Sequence, residues 1–110
     1  MWYIFPQIKD LGRSGASEFY GITGLDEAKA YLANDILGSR LIEISSTLLE
    51  LETDDAVLIL GKPDNLKLKS SMTLFSCAAP DIPVFCAIIE KFFHGKHCQR
   101  TLSILDMQNA

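Results

Sequence analysis

The stretch ILGSRLIEISSTLLEL, residues 36–51, is the longest helical pattern in the chain. Its apolar residues recur at spacings of three and four, at Leu37, Leu41, Ile44, Leu48 and Leu51. Charged residues lie between them. A stripe at this period is typical of an amphipathic helix that packs one face on a core. The stretch therefore predicts a long helix with this stripe buried.

Five further segments favour helices, and they cover residues 25–34, 56–60, 66–76, 84–93 and 100–106. Asp26 and Glu27 suit the start of the first segment, because acidic side chains stabilise a helix N-terminus. Thr53 or Asp54 can cap the segment 56–60. Its five apolar residues fit either a buried helical turn or a buried strand, and its helical surroundings favour a helix. Pro83 suits the first turn of the segment 84–93.

These patterns together predict the fold class. Segment 66–76 offers two helical faces, and no window shows the alternation of period two that marks a half-buried strand. With 110 residues, the chain is long enough for one core and too short for two ordinary domains. We expect an all-α fold, an irregular bundle of about six short helices that forms a single domain over residues 1–110.

Composition excludes several classes of partner. The net charge of −4 gives no general attraction to nucleic acid or to anionic lipid. No apolar run reaches the roughly 18–20 residues of a membrane span, and no signal peptide is recognisable. The odd number of cysteines, three, favours reduced thiols and hence the cytoplasm. Cys77 and Cys86 stand among apolar residues, where free cysteine usually acts as a small hydrophobic side chain.

The chain opens with a dense aromatic cluster, MWYIFPQ at residues 1–7. Trp2, Tyr3 and Phe5 together carry several hundred Å² of apolar surface, worth about 25 cal/mol per Å² when it is removed from water. The cluster therefore predicts core residues. Where later helices leave it open, the same surface would bind a partner or form a homodimer.

Sequence motifs of common cofactor and catalytic sites are missing. There is no phosphate-binding GxxxxGK, no dinucleotide GxGxxG, no zinc HExxH and no GxSxG, so no cofactor is predicted. The segment HGKHC, residues 94–98, follows Glu90 by four positions and has ligand chemistry. However, it crosses a glycine-terminated helix end, Lys96 adds positive charge, and no second cysteine pair completes a ligand set. We therefore predict no metal site.

Two polar segments suit an anionic ligand. Residues 12–15, GRSG, place a guanidinium in a permissive loop, and residues 67–73, KLKSSMT, place two lysines and three hydroxyls near a helix start. Both segments can receive phosphate or carboxylate oxygens. The alternative is ordinary: the lysines are solvated, and the hydroxyls bond to the preceding helical turn.

Several segments resemble the bacterial family catalogued as domain of unknown function 1810. They are MWYIFPQ at 1–7, LGRS at 11–14, AKAYL at 28–32, LGSRL at 37–41 and DNLKLKSSMTLF at 64–75, and the similarity continues through Arg100 and Leu102. The resemblance implies a multihelical fold and no established activity. Members of that family usually carry another helix or two before the aromatic segment, so the resemblance also implies a chain shortened at its N-terminus.

A more distant similarity is to the NADAR superfamily, small helical proteins linked to NAD and ADP-ribose metabolism. It implies a pocket for a nucleotide-like anionic molecule, with hydrolysis of a glycosidic bond as the candidate reaction. In this hypothesis Arg13, Lys67 and Lys69 hold anionic oxygens, Trp2 or Tyr3 stacks on a base, and Glu18 acts as acid or base. The pocket's remaining polar groups are Gln7, Ser14 and Ser70.

Two functions therefore compete at the level of sequence. The first is an enzyme or binding protein for a nucleotide-like small molecule, and it requires the two polar segments to converge on one cavity. The second is a non-catalytic interaction module, and it requires the aromatic opening to face a partner. Whether the protein is an enzyme does not follow from these residues.

Overall fold

The computed structural model describes residues 4–8 and 21–108. These ranges contain no β-strand. They contain six helices: α1 (Leu25–Ala33), α2 (Asp35–Glu50), α3 (Ala56–Leu60), α4 (Asp64–Ala78), α5 (Pro83–Phe93) and α6 (Gln99–Gln108). The all-α prediction is confirmed. Each predicted helix is present, with ends that differ from the expected ones by two residues at most.

Helix α4 lies at the centre of the bundle. It packs against α1, α3, α5 and α6. Residues 70–76 are all buried, so the helix is covered on every side. The prediction of two helical faces was therefore too limited, because a helix surrounded by four others has no exposed face along its middle turns.

Polar side chains in the middle of α4 are accommodated by the backbone of the same helix. The Ser70 hydroxyl donates to the Leu66 carbonyl at 3.1 Å, and the Thr73 hydroxyl donates to the Lys69 carbonyl at 2.8 Å. The Ser76 hydroxyl donates to the Thr73 carbonyl at 2.8 Å. A buried hydroxyl that is hydrogen-bonded avoids most of the cost of leaving water. These bonds let a serine-rich helix occupy the core.

The apolar core forms around Phe75 of α4. The centroid of its ring lies 5.6 Å from that of Tyr31 in α1 and 5.7 Å from that of Phe85 in α5. Phe5 is also buried in this core, with 2% of its surface exposed. The prediction that the aromatic opening is core is confirmed for Phe5, while Trp2 and Tyr3 lie outside the described residues.

The short segment 4–8 is tied to the residues before α1. Ile8 and Ile22 form an isolated parallel bridge, and the Ile22 N–H donates to the Gln7 carbonyl at 2.8 Å. Both isoleucines are buried. This bridge attaches the start of the chain to the helical core.

Helix α2 is where the predicted burial pattern is wrong. Its buried residues are Gly38, Leu41, Ser45 and Leu48. Three members of the predicted stripe are exposed: Leu37 (40%), Ile44 (37%) and Leu51 (38%). A Cβ atom on Gly38 would lie 2.1 Å from the Leu32 carbonyl oxygen, so α1 crosses α2 at this glycine. The buried edge of the helix thus runs through Gly38 and Ser45 as well as two leucines, and part of the leucine stripe therefore faces solvent.

A lysine of α5 completes the C-terminal end of α2. The Lys91 amine donates to the carbonyls of Leu48 at 3.3 Å and Leu49 at 2.9 Å, and also to the carbonyl of Leu51. The last carbonyls of a helix lack partners within the helix, and a positive charge there also suits the helix dipole. Lys91 therefore joins α2 to α5 by polar contacts.

Two local predictions need correction. The cap of α3 is Asp55, whose carboxylate accepts from the N–H groups of Val57 at 3.0 Å and Leu58 at 3.2 Å. Thr53 instead accepts from the Asp55 N–H. Cys77 packs against the core as expected, but Cys86 is exposed, because it lies on the outer face of α5. No helix among the described residues is both long and apolar enough to span a membrane.

Candidate functional site

A cleft of about 410 Å³ lies between α4 and the start of α6. We call it the basic cleft. Its lining consists of Leu66, Lys69, Ser70, His97, Cys98, Gln99 and Arg100. Residues from two parts of the sequence, 66–70 and 97–100, are thus brought together.

The α4 wall of the cleft contributes Lys69 and Ser70. Lys69 is half-buried, and its Nζ lies 5.9 Å from the centroid of the Phe93 ring. A lysine over an aromatic face is weakly attracted by the ring and keeps its charge. The charge of Lys69 is therefore held near the cleft by a side chain of α5.

The opposite wall follows a sharp turn after α5. His94 adopts the left-handed conformation with φ of 54°, and Gly95 follows with φ of 78°. The Gly95 N–H donates to the Ile89 carbonyl at 3.1 Å, which closes the helix end. The helix predicted over residues 84–93 ends at this His-Gly pair, as observed. The turn directs residues 97 and 98 back toward α4.

Cys98 is anchored at the point where the chain meets α4. Its backbone N–H donates to the Thr73 hydroxyl at 2.9 Å, and the Ser70 hydroxyl lies 3.4 Å from its sulfur. Its carbonyl accepts from the Leu102 N–H at 3.1 Å, so Cys98 is the N-cap residue of α6. The sulfur thus takes the position of a capping oxygen, beside the free N–H groups of the first turn.

This environment changes the acidity of the thiol. Burial raises the pKa of Cys98, but the donors around its sulfur outweigh this effect: the Ser70 hydroxyl, the Thr101 side chain and the backbone N–H groups of Thr101 and Arg100. The net result is a pKa below the ordinary value of 9.0. A thiol at a helix N-terminus with several donors is typical of a reactive cysteine.

The charges that line the cleft have one sign. Lys69 and Arg100 are cationic, and no carboxylate is among the described residues of the lining. The chain as a whole has a net charge of −4. The cleft is therefore a local positive region on an acidic protein, and it suits an anionic ligand.

The structure brings together two of the residues predicted for a binding site, Lys69 and Ser70. Lys67 does not line the cleft, since its amine faces the Asp64 carboxylate at 3.7 Å on the same helix. Gln7 is 3% exposed and is also absent from the lining. Its Nε2 has no hydrogen-bond partner among the residues described.

Five predicted residues lie outside the described part of the chain: Trp2, Tyr3, Arg13, Ser14 and Glu18. The predicted convergence of the two polar segments therefore concerns a loop, residues 12–15, that the structure does not describe. Lys69 and Ser70 are the part of that prediction with a structural location.

The sequence pattern marks His97 and Cys98 only as metal ligands and gives Arg100 no role in a site. The usable signal was the position of Cys98, two residues before the predicted helix 100–106, where a side chain can face free N–H groups. Across residues 4–8 and 21–108, no three His, Cys, Asp or Glu side chains converge as a metal site would require.

A second cavity, of about 310 Å³, lies between the start of the chain and helices α1 and α2. We call it the apolar groove. Its lining consists of Ile4, Tyr31, Leu37, Arg40, Leu41 and Ile44. The exposed leucine and isoleucine side chains of α2 thus border a concave surface.

Comparison with known proteins supports the fold and leaves the activity open. A family profile described as "Protein of unknown function (DUF1810)" matches residues 1–105. Among solved structures, the conserved hypothetical protein Rv1873 from Mycobacterium tuberculosis is similar, with a TM-score of 0.93 and 41% sequence identity. The alignment covers 96% of this chain and 75% of that chain. No curated protein matches.

The resemblance drawn from the sequence segments is thereby confirmed. The more distant resemblance to the NADAR superfamily is not addressed by any of these matches and stays a prediction.

Proposed function

We propose a function from the basic cleft itself, because the chain belongs to the DUF1810 family, whose members are described only as proteins of unknown function. The proposed function is the binding of a small anionic molecule. One observation carries it: Lys69 and Arg100 line one cleft together with hydroxyl and thiol groups, and the described lining has no carboxylate.

The dimensions and chemistry of the cleft narrow the class of ligand. Its volume of about 410 Å³ falls in the range of sites for small organic molecules, roughly 300–1,000 Å³. The Arg100 guanidinium can hold two oxygens of one phosphate or carboxylate, and Lys69 adds a point charge. Phosphate-bearing molecules of nucleotide type, including ADP-ribose and NAD, therefore lead the set of ligands to test.

The described lining supports binding more directly than glycosidic hydrolysis. Hydrolysis of a glycosidic bond ordinarily requires a carboxyl group beside the scissile bond. The described residues of the cleft supply none, and the predicted acid or base Glu18 lies outside the described residues. The proposal is accordingly limited to recognition of the anion.

Thermal unfolding in the presence of ADP-ribose, NAD, mononucleotides and inorganic phosphate tests the proposal. A ligand at 100 times its Kd stabilises the folded protein by about 2.7 kcal/mol, a shift in Tm of several degrees. The double variant Lys69→Gln/Arg100→Gln should lose that shift. Lys29→Gln/Lys62→Gln removes two exposed lysines outside the cleft and should keep it.

Equal shifts in the two double variants would place the anion elsewhere. The absence of any shift across the whole panel in a folded sample would contradict the proposal.

The apolar groove favours a second candidate, self-association of two copies. Ile4 (38% exposed), Leu37 (40%) and Ile44 (37%) present apolar surface around one concavity. Light scattering after size-exclusion chromatography should then show a dimer that Ile44→Glu dissociates. Leu58→Glu, at a position 74% exposed on α3, is the matched control and should leave the dimer intact. A monomer at all accessible concentrations would overturn this candidate.

A further inference from the structure

Among the three free cysteines, Cys98 has the surroundings of a nucleophile. Cys86 is exposed on α5, and Cys77 is half-buried against the core. Cys98 is also half-buried, but it lines a cleft that is open to small molecules. Only a thiol with such access can react with a molecule bound beside it.

The Thr101 side chain provides a second and independent observation. Thr101 is fully buried, and its hydroxyl has no hydrogen-bond partner among the described residues. A buried donor without a partner is costly, and a neutral thiol nearby is only a weak acceptor. A negatively charged Cys98 sulfur would be a stronger acceptor, both for this hydroxyl and for the N–H groups of the first turn of α6.

Cys98 and Cys77 differ in acidity as this geometry requires. Hydrogen bonds keep the pKa of Cys98 low in spite of burial. For Cys77, burial raises the pKa, the neighbouring Cys86 and Asp106 raise it further, and the hydrogen bond from Ser76 does not compensate. The thiolate, which is the attacking form, is therefore favoured at Cys98 and disfavoured at Cys77.

We propose that Cys98 is a nucleophilic thiol that forms a reversible mixed disulfide with small disulfides bearing negative charges, held in the basic cleft. The Cys98 thiolate attacks one sulfur of the incoming disulfide. A new S–S bond forms to Cys98 as the original S–S bond breaks, and the other half leaves as a thiolate that takes a proton from water. Cys98 is oxidised, and the departing half is reduced.

The charges around Cys98 account for the preference among disulfides. Lys69 and Arg100 attract an anionic disulfide to the cleft. Because the adduct fills the cleft, it would also compete with the anionic ligand proposed above, and this regulatory consequence rests on the proposed function. The reactivity of Cys98 does not depend on it.

Single-cysteine proteins separate the three thiols. The protein retaining Cys98 carries Cys77→Ala and Cys86→Ser, and the protein retaining Cys86 carries Cys77→Ala and Cys98→Ser. Their rates with the dianionic disulfide 5,5′-dithiobis(2-nitrobenzoate) are followed by absorbance at pH 7, with circular dichroism confirming the fold. We expect Cys98 to react at least about tenfold faster than the more exposed Cys86, because the donors around Cys98 favour its thiolate and because Lys69 and Arg100 attract the dianion.

An equal or slower rate at Cys98 would overturn the proposal. The uncharged disulfide of 2-mercaptoethanol tests the charge preference. In the Cys98 protein, Lys69→Gln/Arg100→Gln should slow the dianionic reagent several-fold and leave the uncharged reagent nearly unchanged. Equal slowing of both reagents would overturn the anionic preference.

A pH profile distinguishes a reactive thiol from a structural cap. The titratable groups around Cys98 are Lys69 of α4, His97 and Arg100 in the cleft, and Glu90 of α5, which lies against Gly95. The rate at Cys98 should reach half its maximum below pH 9.0, the ordinary thiol value. Thr101→Val should move that midpoint upward, and a midpoint at or above 9.0 in the parent would overturn the proposal.

The two proposals fail separately. Anion binding is measured as the thermal shift of the parent protein, and thiol reactivity as the rate of the protein that retains only Cys98. Fast reaction at Cys98 without any ligand binding would contradict the proposed function alone. Ligand binding with an unreactive Cys98 would contradict the present proposal alone.

Discussion

The burial of helices α2 and α4 is the opposite of what their sequences suggest. Helix α2 carries a long stripe of leucine and isoleucine, yet three of the five stripe residues are substantially exposed. Helix α4 contains four serine and threonine residues in its middle turns, and all of residues 70–76 are buried. Helix α2 packs mainly against α1 and α5, whereas α4 packs against four helices. The number of neighbours, more than side-chain polarity, decides how far each helix is buried.

The difference also shows how each helix is stabilised. Helix α4 places Phe75 in the core and bonds the hydroxyls of Ser70, Thr73 and Ser76 to its own backbone carbonyls. Helix α2 relies on a narrow buried edge, around Leu41, and on polar contacts at its end from Lys91. Substitutions at matched positions on the two helices test this comparison.

The largest expected effect is at the centre of α4. Phe75→Ala removes a ring that is 0% exposed and contacts two other aromatic rings, so it should lower the free energy of unfolding by about 3–5 kcal/mol. Leu66→Ala, at a position 57% exposed on the same helix, should change it by at most about 0.5 kcal/mol. Urea denaturation measures both. Similar losses at the two positions would contradict the central place of α4.

Within α2, two leucines of the predicted stripe should differ. Leu41→Ala, at a site 1% exposed, should cost about 2–5 kcal/mol. Leu37→Ala, at a site 40% exposed, should cost under about 1 kcal/mol. The same denaturation experiment decides the point. Equal losses at the two positions would support the prediction from sequence that both leucines are buried.

The polar end of α2 gives an intermediate effect. Lys91→Met keeps most of the side-chain length and removes the charged donor from three carbonyls, so we expect a loss of about 1.5–3 kcal/mol. Lys29→Met, on an exposed face of α1, is the control and should be nearly neutral. Hydrogen exchange should also accelerate at the last turn of α2 in Lys91→Met alone. Unchanged exchange there would show that the lysine does not hold this end.

The smallest effects separate two buried hydroxyls of α4. Ser71 is fully buried, and its hydroxyl has no hydrogen-bond partner among the described residues, so Ser71→Ala should be neutral or slightly stabilising. Thr73 both donates to Lys69 and accepts from the Cys98 N–H, so Thr73→Val should cost about 1–3 kcal/mol. Thermal unfolding compares the two variants. A larger loss from Ser71→Ala would mean that its hydroxyl has a partner.

Much of the fold was predictable because helical periodicity is a local property. The six helices follow from the spacing of apolar residues and from end signals such as Pro83, which is the first residue of α5. The orientation of α2 was not predictable, because it depends on the close approach of α1 at Gly38, a contact between two helices. Local patterns locate helices, while the choice of buried face depends on their packing.

The candidate site shows the same limit. Lys69 and Ser70 were identified because a basic, hydroxyl-rich helix start is visible in one segment. Their partners come from residues 97–100, which reach α4 only through the turn at His94 and Gly95. That Cys98 caps α6 beside α4 depends on its contact with Thr73, a residue 25 positions earlier. A single sequence does not reveal a contact at this separation.

Gly38, at the crossing of α1 and α2, also affects the width of the apolar groove. Tyr31 on α1 and Leu37 on α2 both line the apolar groove. Because a Cβ at this position would meet the Leu32 carbonyl oxygen, even alanine would push the two helices apart. The groove would then widen although none of its own lining residues had changed. Gly38 thus sets the width of the apolar groove, although it is not one of the residues that line the groove.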